Sequence, residues 1–181
     1  MIITIFDTET TGLTLPSNVD VNEQPRIIEL GGVKFNQEGG LDRLEQLIDP
    51  GMEISSEITK ITGISTRDVS AQPTFEDYLP AWQSFMDGTD VLVAHNAPFD
   101  VSVLEAELSR ASCFDFPWPI NVICTAQEYH PICGFRPTLK VLYEYVMNRM
   151  FVQTHRALDD CLALHQLLLK DQFFQKVGLW K

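Results

Sequence analysis

Residues 3–12 read ITIFDTETTG and join an apolar, β-branched run to a pair of acidic residues. In a β-strand, side chains alternate between the two faces at about 3.3 Å per residue, so Asp7 and Glu9 are expected on one face, roughly 7 Å apart at the backbone. Two such carboxylates repel each other and destabilise a buried strand unless a positive charge lies between them. The stretch therefore predicts a strand that ends in half of a cation site.

The composition limits what the chain can attract. Its 181 residues are 45% hydrophobic with no linker-like stretch, which favours one domain over residues 1–181. The formal net charge is −12, from 13 Lys and Arg against 25 Asp and Glu. Because such a chain has no large basic field, a polyanionic substrate would need metal ions or a partner for its attraction.

The cysteines and the N-terminal residues indicate a cytoplasmic protein. The four cysteines include no C-x-x-C pair, which argues against a zinc knuckle or a redox motif; they are Cys113, Cys124, Cys133 and Cys161. The opening MIITIF lacks a basic region, and no apolar segment approaches about 18 residues. We therefore expect reduced thiols, a cytoplasmic location and no membrane partner.

Hydrophobic patterning predicts an α/β fold. Apolar or alternating runs predict strands over residues 2–7, 26–35, 43–49, 90–96 and 121–125. Helical periodicity and capping residues predict helices over residues 56–64, 75–86, 99–111, 137–147 and 157–174. Consecutive strands followed by strand–helix alternation indicate a mixed sheet with helices on its faces.

Two further acidic residues are expected on the buried faces of helices. Asp100 begins a helix and shares a face with Leu104, and Asp160 lies one turn before Leu164. A helix N-terminus stabilises a negative charge by only about 0.3–1 kcal/mol, too little to hold four carboxylates together. Two Mg²⁺ or Mn²⁺ ions would balance the four charges, and zinc is less suitable because no cysteine or histidine cluster joins the set.

His155 lies five residues before Asp160. On a continuous helix five residues turn through about 500°, which would leave the two side chains roughly 140° apart. We therefore expect His155 on the loop that enters the helix, close to the carboxylates. An imidazole there can accept a proton from water at neutral pH.

The motifs DTETTG (residues 7–12), HNAPFD (residues 95–100) and HRALDD (residues 155–160) resemble, in this order, the three exonuclease motifs of the DnaQ-like DEDDh superfamily. This superfamily includes proofreading subunits of replicative polymerases and oligonucleotide-trimming ribonucleases. The segments RIIELGG and GIS also resemble segments of the family. The resemblance implies an RNase H-like fold, with a mixed five-stranded sheet flanked by helices, and a 3′–5′ exonuclease that uses two metal ions.

The resemblance also implies roles for individual residues. Asp7 would bridge both ions, Glu9 and Asp160 would hold the ion that activates water, Asp100 would support the second ion, and His155 would be the general base. The residues implied in substrate binding are Thr10, Thr11, Gly12, Leu13, Ile61, Asn96 and Phe99. One position departs from the family pattern, because Thr62 stands where many members have a histidine.

The expected activity is release of nucleoside monophosphates from a nucleic-acid 3′ end, with single-stranded DNA as the first candidate substrate and a polymerase or another replication or repair protein as a possible partner. RNA trimming, as by an oligoribonuclease, is the main alternative. A catalytically silent binding subunit is disfavoured because all five site residues are present, and an RNase H-type endonuclease is disfavoured by the histidine within HRALDD. We expect His95 to be structural, whereas Glu29 either pairs with Arg26 or supports the site.

Overall fold

The computed structural model describes residues 1–180, which contain a five-stranded mixed sheet with the strand order β3-β2-β1-β4-β5. The first three strands are antiparallel neighbours: β1 (Ile2–Thr10), β2 (Ile27–Asn36) and β3 (Leu41–Leu47). The last two run parallel to β1: β4 (Val91–Ala94) and β5 (Asn121–Cys124). This arrangement confirms the predicted α/β fold with a mixed five-stranded sheet flanked by helices.

Helices connect and cover the strands. They are α1 (Ser56–Thr62), α2 (Thr66–Val69), α3 (Phe75–Met86), α4 (Ala97–Arg110), α5 (Thr125–Glu128), α6 (His130–Cys133), α7 (Leu139–Met147), α8 (Ala157–Lys170) and α9 (Phe173–Lys176). The continuous helix predicted over residues 157–174 is wrong, because Gln172 adopts a left-handed φ of 54° and separates α8 from α9. The single-turn helices α2, α5 and α6 were not predicted, since a single turn is too short to show a periodic pattern.

The sheet packs a hydrophobic core against each face. On one face, Ile3 and Ile5 of β1 contact the apolar stripe of α8. On the other face, Phe6 packs with Trp82 of α3 and Leu104 of α4. Helices α4 and α8 thus lie on opposite faces, and each begins beside the C-terminal end of β1, where Asp7 and Glu9 lie.

Two predictions from composition are also tested by the structure. All four cysteines are free thiols, two of them buried. Within residues 1–180, no helix is both long and apolar enough to cross a membrane.

Candidate active site

The acidic pair lies at the C-terminal end of β1, on the face that α8 covers. In the antiparallel register with β2, Asp7 pairs with Gly31 and Glu9 pairs with Glu29. Asp7 and Glu9 are half-buried, whereas Thr8 between them is buried and points to the opposite face. Alternation along the strand therefore directs both carboxylates to one face, as the sequence predicts.

Asp100 approaches from the first turn of α4 and is 3% exposed. Its Oδ1 accepts hydrogen bonds from the backbone N–H of Thr8, at 3.1 Å, and from the Thr8 hydroxyl, at 2.8 Å. These two bonds fix the Asp100 carboxylate against β1, beside Asp7. Sequence reasoning missed Thr8, although its position between the two acidic residues of DTE was a usable signal.

Asp160 reaches the site because the first turn of α8 lies directly on β2. A Cβ atom added at Gly31 would lie 2.4 Å from the carbonyl carbon of Ala157 and 2.5 Å from the amide nitrogen of Leu158. Only glycine permits this approach, which brings Asp160 to Asp7 on the neighbouring strand. Asp160 Oδ2 accepts a 2.6 Å hydrogen bond from Gln153, while its buried Oδ1 has no hydrogen-bond partner among the described residues.

Glu29 anchors the segment that carries the third motif. Its buried carboxylate pairs with Arg156 and accepts a 2.8 Å hydrogen bond from the backbone N–H of Ala157, at the start of α8. The alternative that Glu29 pairs with Arg26 is therefore wrong. The pairing with Arg156 could not be assigned from sequence, since 127 residues separate the two.

His155 lies on the loop before α8, with a left-handed φ of 51°. One ligand atom from each of Glu9, His155 and Asp160 lies within 4.8 Å of the other two. The backbone turn at His155 thus directs the imidazole towards the carboxylates, which a continuous helix would not allow.

Burial, together with repulsion between neighbouring carboxylates, raises the pKa values of the four acidic residues of the site. Burial, followed by the charges of Asp100 and Asp160, raises the pKa of Asp7 well above its usual range. Burial, followed by the charge of Asp160, raises the pKa of Glu9 to about 8. Burial also raises the pKa of Asp100 to about 7, against the opposing hydrogen bonds from Thr8, and raises the pKa of Asp160. Four carboxylates held in this way favour the binding of cations or protons.

The donor set fits hard divalent cations. It offers carboxylate oxygens from the end of one strand, β1, and from the first turns of two helices, α4 and α8, and the unpartnered Oδ1 of Asp160 is an available ligand atom. Magnesium and manganese prefer such oxygen ligands, whereas zinc prefers thiolates and imidazoles. Glu9, His155 and Asp160 are close enough together to share one ion.

The contact at Gly31 gives a direct test of how the site is built. We expect Gly31→Ala to lower the free energy of unfolding by about 1–3 kcal/mol, because the added methyl group overpacks against the backbone of α8. Displacement of Asp160 should reduce catalysis by roughly 10²-fold. The control is Gly40→Ala, where the nearest atom to an added Cβ is 3.7 Å away, in the side chain of Asn36. Equal stability and activity of the two variants would contradict this account.

The loop after β1 is held to the entry of β2. Thr11 donates its N–H to the carbonyl of Arg26, at 2.8 Å, and its hydroxyl accepts the N–H of Arg26, at 2.9 Å. Thr10 donates its hydroxyl to the carbonyl of Gly12, at 2.7 Å. An added Cβ at Gly12 would meet no atom within 4 Å, and Leu13 is 82% exposed, so the loop presents open space and an apolar side chain beside the carboxylates.

The other residues implied in substrate binding differ in exposure. Ile61 on α1 is 49% exposed, Phe99 is half-buried, and Asn96 is exposed with a left-handed φ of 69°. Thr62 is buried, and its hydroxyl donates to the carbonyl of Ile58 and accepts the N–H of Ile64. Thr62 therefore stabilises the end of α1 and does not present its hydroxyl to the site.

His95 is structural, but it also borders the site. Its Nε2 donates to the carbonyl of Pro137, at 2.9 Å, and its Nδ1 is 3.0 Å from the hydroxyl of Thr125. Burial lowers the pKa of His95. The ring thereby links the end of β4 to the loop before α7.

Comparison with known proteins identifies the fold and its relatives. The exonuclease family model RNase_T matches residues 4–168, which include all three motifs. The DNA polymerase III subunit epsilon of Treponema pallidum is 36% identical over 174 residues, which cover 91% of this chain and 73% of that protein. A PolC-type DNA polymerase III of Caldanaerobacter subterraneus is 32% identical over 177 residues. These residues cover 97% of this chain but only 12% of the polymerase.

A solved structure of exonuclease X in complex with 5′ overhanging duplex DNA has a similar fold. Its TM-score is 0.68 at 26% sequence identity, and the match covers 99% of this chain and 94% of that chain. The similarity therefore extends over the sheet and the helices on both of its faces.

Proposed function

This chain belongs to the DnaQ-like 3′–5′ exonuclease superfamily, and from that membership we propose that it removes nucleoside 5′-monophosphates one at a time from the 3′ end of single-stranded DNA. The observation that carries this proposal is the convergence of four carboxylates and one imidazole from distant parts of the chain: Asp7, Glu9, Asp100, His155 and Asp160. The raised pKa values of the four carboxylates mark a site that favours cations. The family implies dependence on divalent metal ions.

We assign two divalent cations, Mg²⁺ or Mn²⁺, to the four carboxylates. Asp7 would be shared by both ions, because the charges of Glu9, Asp100 and Asp160 all raise its pKa and so lie close to it. Glu9 and Asp160 would hold the ion beside His155, and Asp100 would support the second. Bound there, the two ions would lower the pKa of a water molecule and stabilise the charge that develops on the leaving 3′ oxygen.

His155 is the proposed general base. A water molecule between Glu9 and Asp160 would lie within hydrogen-bond reach of the imidazole, since the three ligand atoms lie within 4.8 Å of one another. The imidazole would take the proton as the water oxygen attacks the scissile phosphorus. The products would be a nucleoside 5′-monophosphate and a strand one nucleotide shorter.

We propose that the terminal nucleotide lies against the loop after β1. The backbone of Thr10, Thr11 and Gly12 would contact its sugar, in the open space above Gly12. Leu13, Ile61 and Phe99 would hold its base by apolar contact, which does not discriminate between bases. Asn96 would line the cleft beside the sugar.

The preference for DNA is supported by relatives named as DNA polymerase III components. Their names also support a polymerase as partner. Delivery by a partner would explain how a chain of net charge −12 meets a polyanion. RNA trimming is the alternative outcome of the following test.

The test compares one sequence as DNA and as RNA, each labelled at the 5′ end. With Mg²⁺ we expect a ladder of products that shorten by one nucleotide, formed faster from DNA, and no products when EDTA is present. Faster cleavage of RNA would reassign the substrate. Internal fragments would indicate an endonuclease, and intact strands in both Mg²⁺ and Mn²⁺ would indicate a binding subunit.

A further inference from the structure

A cleft opens from the carboxylate site on the side of β4 and β5. Its volume is about 330 Å³, and Asp7 and Asp160 form one of its walls. The segment from Arg136 to Leu139, which leads into α7, also lines it, together with His95, Asn96 and Gln153. We call this space the α7 cleft. Because it contains two of the catalytic carboxylates, whatever occupies it lies next to the scissile phosphate.

Arg136 is the cation of the α7 cleft. Its side chain is exposed, and within residues 1–180 it forms no ion pair and no hydrogen bond. Arg156, which acts on Glu9, is already engaged because it pairs with Glu29. In a chain with 13 cationic and 25 anionic side chains, an unpaired guanidinium beside the active site is available for an anionic ligand.

The segment that carries Arg136 is held in place. The carbonyl of Pro137 accepts a hydrogen bond from His95 at 2.9 Å, and the hydroxyl of Thr138 caps α7 by accepting the N–H of Val141 at 3.3 Å. His95 in turn follows β4, the strand parallel to β1. The backbone next to Arg136 is therefore tied to the sheet that positions the carboxylates, which keeps the Arg136 side chain beside the α7 cleft.

The topology places the α7 cleft opposite the proposed position of the terminal nucleotide. The loop from Thr10 to Leu13 is bound to the entry of β2, on one side of β1. The α7 cleft lies on the other side, beside β4 and β5. A strand whose scissile phosphate lies over Asp7 and whose terminal nucleotide lies against the loop has the α7 cleft open to its upstream nucleotides.

We propose that Arg136 binds the phosphate immediately 5′ to the scissile phosphate, and so positions the upstream nucleotide for hydrolysis. This inference rests on the proposed function, because it names a contact with the same substrate. Guanidinium groups bind phosphate oxygens through paired, charge-assisted hydrogen bonds. Arg136 would thus attract the polyanion and set its register, whereas the chemistry would remain with the carboxylates and His155.

The test combines a variant with a change in the substrate. Arg136→Gln is compared on two DNA strands, one natural and one with an uncharged methylphosphonate in place of the phosphate immediately 5′ to the scissile one. For the unmodified protein, we expect the methylphosphonate to raise KM roughly tenfold, the effect of losing one charge-assisted bond. For Arg136→Gln, KM should be raised on the natural strand, and the methylphosphonate should have no further effect.

Two further variants complete the design. Arg136→Lys keeps the charge and should restore part of the response to the methylphosphonate. Arg43→Gln, on the far edge strand β3, makes the same charge change and should behave as the unmodified protein. The slope of log KM against log salt concentration should decrease by about 0.7 for Arg136→Gln, and for neither of the other two variants.

The outcomes separate this inference from the proposed function. If the unmodified protein cleaves neither strand, the proposed function fails. If it cleaves the natural strand but the effects of Arg136→Gln and of the methylphosphonate simply add, the contact with that phosphate is excluded while the exonuclease function stands. If Arg43→Gln raised KM as much as Arg136→Gln does, the effect would come from the net charge of the protein alone, and the inference would also be overturned.

Discussion

Asp7→Asn should abolish hydrolysis, with a loss of about 10⁴-fold or more in kcat, as is found when one member of a cooperating catalytic unit is removed. Burial raises the pKa of Asp7, and the charges of Asp100, Asp160 and Glu9 raise it further, so Asp7 lies close to all three of the other carboxylates. Asparagine keeps the size of the side chain but removes the charge that both cations would share. The measurement is single-turnover release of the terminal nucleotide at saturating Mg²⁺.

The same variant should leave the fold intact and make the metal-free protein more stable above neutral pH. Burial raises the pKa of Asp7, Glu9 and Asp100, so the folded protein keeps protons that the unfolded chain has already released. Stability must therefore fall as the pH rises from about 4, where unfolded carboxyl groups ionise, to about 8, where Glu9 ionises in the folded protein. Asp7→Asn removes part of this loss.

The check is chemical denaturation in EDTA at pH 5 and pH 8. The unmodified protein should lose more stability between the two pH values than Asp7→Asn does, and added Mg²⁺ should stabilise only the unmodified protein appreciably. The control is Asp42→Asn, an exposed carboxylate on β3 outside the site. A near-normal rate for Asp7→Asn would make the assignment of two shared cations untenable.

The sequence is sufficient to place Asp7, Glu9, Asp100 and Asp160 on their elements, because each follows from a local pattern. Alternation orients the pair on β1, and the helical stripe orients Asp160 with Leu164. Such patterns depend on neighbours within a few residues. The fold class follows for the same reason, since strand and helix periods are local properties.

The supports of the site could not be predicted, because they join distant segments. Glu29 reaches Arg156 across 127 residues, and Thr8 reaches Asp100 across 92. The need for glycine at position 31 cannot be read from the sequence, because the atoms that would clash with a larger residue belong to α8. It becomes clear only when Gly31 is seen to pair with Asp7 under the first turn of that helix. The same holds for Arg136, because its loop shows no pattern in the sequence and only the fold brings it beside Asp7 and Asp160.

His155→Ala should reduce kcat by about 10²–10⁴-fold, the usual contribution of a positioned general base. The imidazole is close to Glu9 and Asp160, where an attacking water would be bound. A base must be unprotonated to act, so the rate of the unmodified protein should rise with pH and then level off. The variant should lack this rise.

Two details of the structure sharpen this experiment. His155 has a φ of 51°, which alanine tolerates poorly and asparagine tolerates better, so His155→Asn removes the base with less backbone strain. The profile must be measured at saturating Mg²⁺, because the raised pKa values of Glu9 and Asp100 would otherwise add their own pH dependence through metal binding. His130→Asn, on the exposed surface, is the matched control. If His155→Asn keeps both the rate and the rise with pH, the water must lose its proton to another group, and the role of His155 reduces to holding the loop that enters α8.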